Sequence, residues 1–181
     1  MGSTLETEGG GAGNRRPILT VVFRPGCSGC ALLERRTLRD QRVIREIDGN
    51  WNLTVKMDEM PSDVIWYPTM ITLTADHKPL MREEGFLPPY EFIPFLRLAR
   101  VFGGLRAGDY EQAVETLAAT CQEFPQSGWI PECLYYQGVA SHLAGRPRDV
   151  AKIWRDLRDS YPRSVWAHKA SLSWEPEADL R

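Results

Sequence analysis

The chain has 181 residues, a formal charge of −2, 43% hydrophobic and 25% charged residues and a mean hydropathy of −0.36, a balance expected of an ordinary soluble globular protein rather than a disordered or membrane one. With a pI near 6.0 it has no net electrostatic drive toward phosphate backbones or anionic lipid. No apolar run reaches the roughly 20 residues of a membrane span and no apolar signal-peptide core opens the chain, so neither nucleic acid nor membrane is expected as a partner and a cytoplasmic location is expected.

Residues 1–16 carry Gly9-Gly10-Gly11 and Gly13 and almost no apolar side chains, and read as a flexible tail. Ile18 to Phe23 is a continuous apolar run rich in β-branched residues, the pattern of a strand buried on both faces of a parallel sheet. Arg24-Pro25-Gly26 punctuates it. Cys27 then opens a stretch of good helix formers through Ala31, Leu32 and Leu33. A second helix is expected from an Asp40 cap to Ile47, with Val43, Ile44 and Ile47 on one face. Leu53 to Met57 reads as the next strand, completing a β-α-β crossover.

The segment from Asp58 to Tyr67 is interrupted by Pro61. Pro68-Thr69 leads into a strand over Met70 to Thr74, Asp76-His77-Lys78 reads as a turn, and Leu80 to Glu83 returns antiparallel. After Gly85 to Pro89 a helix begins near Tyr90. From Phe92 onward the pattern is helical throughout, with turns expected at Gly103-Gly104, Gly108, Phe124 to Pro131, Gly145-Arg146-Pro147 and Tyr161-Pro162. Gly108 and Gly145 stand 37 residues apart, as do Pro125 and Pro162. A helix, a Gly turn, a helix and then Pro at such a period resembles tetratricopeptide-like helical hairpins, and Gly138 falls where such a repeat brings two helices close. With fewer than three complete repeats, the array is expected to lean on the preceding domain or on a partner.

The chemistry concentrates in Cys27-Ser28-Gly29-Cys30. Four cysteines could make two structural disulfides, but in a reducing compartment paired cysteines are more often redox or metal sites, and spacing decides. Two cysteines separated by two residues at a helix start face a common end of the helix and can close a small, reducible disulfide. Exchange needs the first as a thiolate. A helix N-terminus contributes at most about 2 kcal/mol, equivalent to about 1.5 pKa units, and Arg24 adds positive charge nearby. Cys27 is therefore the expected attacking thiolate, Arg24 a residue that tunes it, and Cys30 the resolving thiol.

Strand, CxxC and helix, continuing into Thr37-Leu38, Asp40 and Val43 and followed by Tyr67-Pro68-Thr69 before a strand, resembles the thioredoxin superfamily over about Pro17 to Phe102. The resemblance implies a central mixed sheet flanked by helices and protein thiol:disulfide oxidoreductase activity through a mixed disulfide. It also implies a cis-proline loop at Pro68 that holds substrate backbone, with Trp66 and Tyr67 as candidate walls of the groove. Two positions depart from the family pattern. Gly26 stands where an aromatic is common, and Val21 where a buried acid is common, which leaves Asp58 as an alternative base.

Cys121 and Cys133 read as buried small hydrophobes, with a disulfide between them or metal binding as the alternatives. His77, His142 and His168 have no zinc-ligand spacing, and no metal or cofactor is expected. Trp129, Tyr135, Tyr136, Trp154, Tyr161 and Trp166 read as packing between helices. The expected organisation is a tail over 1–16, a thioredoxin-like domain over 17–102, a tetratricopeptide-like helical region over 103–174 and a C-terminal tail over 175–181. The expected function is dithiol exchange on a protein disulfide or dithiol substrate, with the helical repeats binding a protein partner. The competing expectation is a redox-inert thioredoxin-like scaffold whose repeats do the binding.

Overall fold

The protein was analysed as a computed structural model that describes residues 16–57 and 64–171. The expected tails, save Arg16, lie outside the described residues, as do Asp58 and Pro61. The dithiol half begins with β1 (Ile18–Phe23), α1 (Ser28–Leu32) with a π-helical continuation over Leu33–Thr37, and α2 (Gln41–Asn50). It continues through β2 (Asn52–Met57), β3 (Thr69–Leu73) and β4 (Pro79–Glu84). The chain then forms α3 (Pro89–Ala107), α4 (Tyr110–Glu123), α5 (Ile130–Leu143), α6 (Pro147–Ser160) and the short α7 (Val165–Lys169).

The sheet order is β2-β1-β3-β4. β1 pairs parallel with β2, joined by the helical crossover, while β3 runs antiparallel to both β1 and β4. This central position buries β1 from Leu19 to Phe23. Leu19, Val21 and Phe23 alternate onto one face and pack with Leu33, Val43 and Ile47 of the crossover helices, with Met70 of β3, and with Phe92, Phe95 and Leu96 of α3. β2 lies at the sheet edge, and Leu53, Val55 and Met57 stay largely exposed. Asp40 caps α2 by accepting from the Arg42 N–H at 2.8 Å.

The expected turn at Gly103-Gly104 does not form. Both residues lie inside α3, which runs unbroken through position 102 to Ala107. Gly103 faces the end of the Leu80 side chain, and flanking Leu98 and Val101 are buried. Tertiary packing thus outweighs the roughly 1 kcal/mol that a helical glycine costs. The helix stops at Gly108, whose φ of 89° gives the left-handed cap and whose N–H bonds to the Gly104 carbonyl. Two expected turns are also shorter than anticipated, because Pro131 and Pro147 sit in the first turns of α5 and α6, where proline has no N–H to lose.

α4 and α6 begin and end 37 residues apart, as the repeated Gly and Pro positions do. α5 lies between them in space. Trp154 of α6 covers Gly138 of α5, where a Cβ would overlap the indole, and its Nε1–H donates to the Tyr135 carbonyl at 3.1 Å. The Tyr135 and Trp154 rings stack at 5.6 Å.

Candidate functional site

Arg24-Pro25-Gly26-Cys27 forms a tight turn closed by the Cys27 N–H on the Arg24 carbonyl at 3.3 Å. Proline at its second position and glycine at its third, with φ +72°, is the type II pattern. An aromatic side chain at position 26 would be strained in that conformation, which gives a physical reason for the departure noted in the sequence. The turn delivers Cys27 to the N-cap of α1.

There the Cys27 Sγ accepts the Cys30 N–H at 3.1 Å, and its thiol donates to the Tyr67 carbonyl at 3.6 Å. Cys27 is half-buried. Cys30, one turn further along, is only 5% exposed. Burial first, then its hydrogen bond with Cys27, pushes the Cys30 thiol up to about 11, so at neutral pH it keeps its proton. Both cysteines are free. The pair is therefore unequal: one thiol is reachable and held by a backbone donor, and the other is sheltered directly behind it.

Pro68 faces this pair from the start of β3. The Tyr67–Pro68 peptide bond is cis, and the Pro68 carbonyl accepts from the Gly85 N–H at 2.7 Å. The Pro68 ring lies against Gly29, where a Cβ would stand 3.3 Å from Pro68 Cδ and 3.5 Å from the Tyr67 carbonyl oxygen. Trp66 is 65% exposed beside Gly85, and Tyr67 is half-buried against the core. The Arg24 guanidinium lies over the Tyr67 ring, 5.8 Å from its centroid. Cys27, Cys30, Tyr67 and Pro68 thus meet at one end of β1, with Arg24 joined to them through Tyr67.

Three further residues complete the site. Gly29 sets how closely the proline loop approaches. Ile65, 81% exposed, extends the apolar surface that Trp66 begins. Thr37, fully buried at the end of the π-helical turn, donates from Oγ1 to the Leu87 carbonyl at 2.6 Å and ties the dithiol helix to the loop before α3. Gly29 was visible in sequence only as a spacer between the cysteines, and the Thr37–Leu87 contact joins positions 50 residues apart with no local signal. Val21 is fully enclosed by apolar neighbours beneath the site, so its position offers no proton acceptor. Among the described residues no group of three or more His, Cys, Asp or Glu side chains is placed to hold a metal ion, and no helix is long and apolar enough to cross a membrane.

A four-stranded mixed sheet, helices packed on it, and a CxxC pair at the end of its central strand define a thioredoxin-like fold, and an all-α helical region follows it. No protein family and no curated protein matches the sequence. Among solved structures, the chain is similar to a thioredoxin from Thermus thermophilus, at 21% identity and a TM-score of 0.45, covering 51% of this chain and 79% of that one. It is also similar to the DsbH oxidoreductase, at 13% identity and a TM-score of 0.40, covering 47% of this chain and 72% of that one.

Proposed function

We propose that the chain is a protein thiol:disulfide oxidoreductase that works by dithiol exchange at Cys27 and Cys30. The observation that carries this reading is the inequality of the two thiols: Cys27 is reachable and its Sγ accepts the Cys30 N–H, while Cys30 is buried and stays protonated. The Cys27 thiolate attacks one sulfur of a substrate disulfide, forming a mixed disulfide and releasing the first substrate thiolate, which takes up a proton from solvent. Cys30 then gives up its proton and attacks Cys27 Sγ. The Cys27–Cys30 disulfide forms, and the second substrate thiol leaves. Two electrons pass from the enzyme dithiol to the substrate, and the reverse sequence oxidises a substrate dithiol.

Pro68 and Tyr67 bound the place where the substrate backbone lies, and Trp66 with Ile65 offers it an apolar wall. The helices from α4 to α7 are read as a tetratricopeptide-like array that presents a protein partner to this site. The 37-residue offset of α4 and α6 supports that reading. The protein works in the cytoplasm, as a dithiol unit in front and a helical unit behind that share α3.

The test is trapping. Cys30→Ser, incubated with oxidised insulin as a model disulfide, accumulates a mixed disulfide on Cys27, and Cys27→Ser accumulates none. Absence of the adduct from Cys30→Ser overturns the proposal. Val21 favours one competing reading, a redox-inert scaffold, because its enclosed apolar position leaves the buried Cys30 proton without an acceptor there. In that case the wild-type chain fails to reduce insulin when supplied with dithiothreitol.

A further inference from the structure

Cys121 lies in the last turn of α4 and Cys133 in the first turn of α5, each six residues from Ser127 in the loop between them. Positions equidistant from the loop of an antiparallel helical hairpin stand across from one another, and both thiols pack into one apolar cluster with side chains of α3, α4 and α5. Cys133 is fully buried in the cluster of Leu98, Val101, Leu117 and Ala140. Cys121 is partly exposed and packs against both that cluster and the core beneath the first dithiol.

The pair repeats the unequal exposure of Cys27 and Cys30 on a different scaffold, with Cys121 partly exposed and Cys133 fully buried. The neighbouring Cys133 thiol holds the Cys121 thiol below its ordinary range even though burial opposes this. The Cys121 thiol beside it, then burial, then the charges of Cys121 and Glu132 push Cys133 upward. One thiol can be reached from solvent, and its partner is sheltered beside it. Ordinary buried cysteines are inert because they lack the first of these properties.

We infer that Cys121 and Cys133 are a second redox dithiol, which closes to a disulfide by exchange with a small-molecule disulfide of the glutathione type. The Cys121 thiolate attacks the oxidant, forming a mixed disulfide and expelling one thiolate that protonates. Cys133 loses its proton and attacks Cys121 Sγ, the mixed S–S bond breaks, and the second small thiol leaves. The oxidant gains two electrons and the protein loses two hydrogens. The bond clamps α4 to α5 where both meet the core of the dithiol half, so redox state sets how rigidly the helical region is held.

The experiment incubates the reduced full chain with excess oxidised glutathione, blocks free thiols with N-ethylmaleimide and maps cysteine peptides by mass spectrometry. The expected product is a Cys121–Cys133 cross-link lighter by two hydrogens, formed equally in a Cys27→Ser/Cys30→Ser variant and accompanied by a raised Tm. Its appearance in that variant separates this dithiol from the first, so failure of either site is read independently. Recovery of both cysteines as maleimide adducts, a lasting glutathione adduct on Cys121 of the wild-type chain, or a cross-link to Cys27 instead would each overturn the inference. Cys133→Ala is expected to stop at that glutathione adduct. Should this variant not fold, the wild-type peptide map still decides.

Discussion

Gly29 sits between the two cysteines of the CxxC pair with the Pro68 ring against its α-carbon, so its lack of a side chain governs the spacing of the candidate site more than its helix propensity does. A methyl group there meets Pro68 Cδ at 3.3 Å, tighter than ordinary contact, and the proline loop must give by a few tenths of an ångström. Replacing a helical glycine by alanine gains up to about 1 kcal/mol, which offsets that displacement. Gly29→Ala is therefore expected to hold its Tm within a few degrees while losing exchange rate on insulin, and the larger Gly29→Val to lose both. Unchanged turnover in the valine variant would remove Gly29 from the site. Cys30 makes a second prediction from its thiol, raised to about 11 chiefly by burial. Because the thiolate is the attacking form, resolution of the mixed disulfide should accelerate about tenfold per pH unit through the neutral and mildly alkaline range. A stopped-flow measurement of product release that stays flat between pH 7 and 9 would contradict the assignment of Cys30 as resolving thiol. Cys27 and Cys30 stood out in the sequence through the CxxC spacing together with the preceding strand, the following helix and Pro68 before the next strand. Their unequal roles were expected from the order of the two thiols along the helix; how far Cys30 is enclosed, at 5% exposure within the core shared by β1, α2 and α3, was not, because those partners are distant in sequence.

Individual elements were legible where local pattern and tertiary packing agree, and not where they conflict. The β1 run, the Asp40 cap and the β3–β4 hairpin all have the same reading in sequence and structure. Gly103 and Gly104 do not, because burial of their neighbours carries α3 through them. Gly138 shows the opposite outcome, a glycine whose expected role is met: the Trp154 indole occupies the space of its missing side chain. Gly138→Ala should push the indole off α5 and cost about 1–3 kcal/mol in urea denaturation, the usual range for overpacking a close contact. A loss below about 0.5 kcal/mol would mean that α6 yields freely. α5 also carries Glu132, half-buried near Glu83 of β4 and Lys169 of α7. Burial raises its pKa from the ordinary 4.5 to about 7, Lys169 works against this, and Glu83 reinforces it. The folded state then holds a proton that the unfolded chain has released between pH 4.5 and 7, so stability from this group is full below the lower value and falls as pH rises through the upper one. Glu132→Gln should flatten that decline and stabilise the neutral protein, seen as a urea midpoint that no longer falls from pH 5 to 7.

At the scale of the whole molecule, the two halves are joined by a charge cluster that no window of sequence displays. Arg97 of α3 donates from Nε to Glu46 of α2 at 3.0 Å and from NH1 to Glu123 of α4 at 2.7 Å, partners 51 and 26 residues away. Glu91 does the same at the start of α3, accepting from Ser127 Oγ and the Gly128 N–H of the α4–α5 loop. α3 is thus the shared spine. It closes the core beneath the dithiol on one side and receives the helical region on the other. Glu46 is the sensitive member, because its side chain is only 9% exposed and Arg97 is its cation. Removing one partner of a buried pair leaves an uncompensated charge, which costs about 3–5 kcal/mol when both are fully enclosed and about 2–4 here, where Arg97 remains partly solvated. Arg97→Gln should show that loss, whereas Arg97→Gln combined with Glu46→Gln should recover most of it, because a neutral pair of amides leaves no buried charge behind. The coupling measured across this cycle is expected to exceed 1 kcal/mol, well above the few tenths that independent sites give. Loss confined to the helical region's near-UV signal would show α3 acting as a hinge. A single cooperative transition that shifts as a whole is the outcome expected of a shared spine, and additive single and double variants would remove Arg97 from that role.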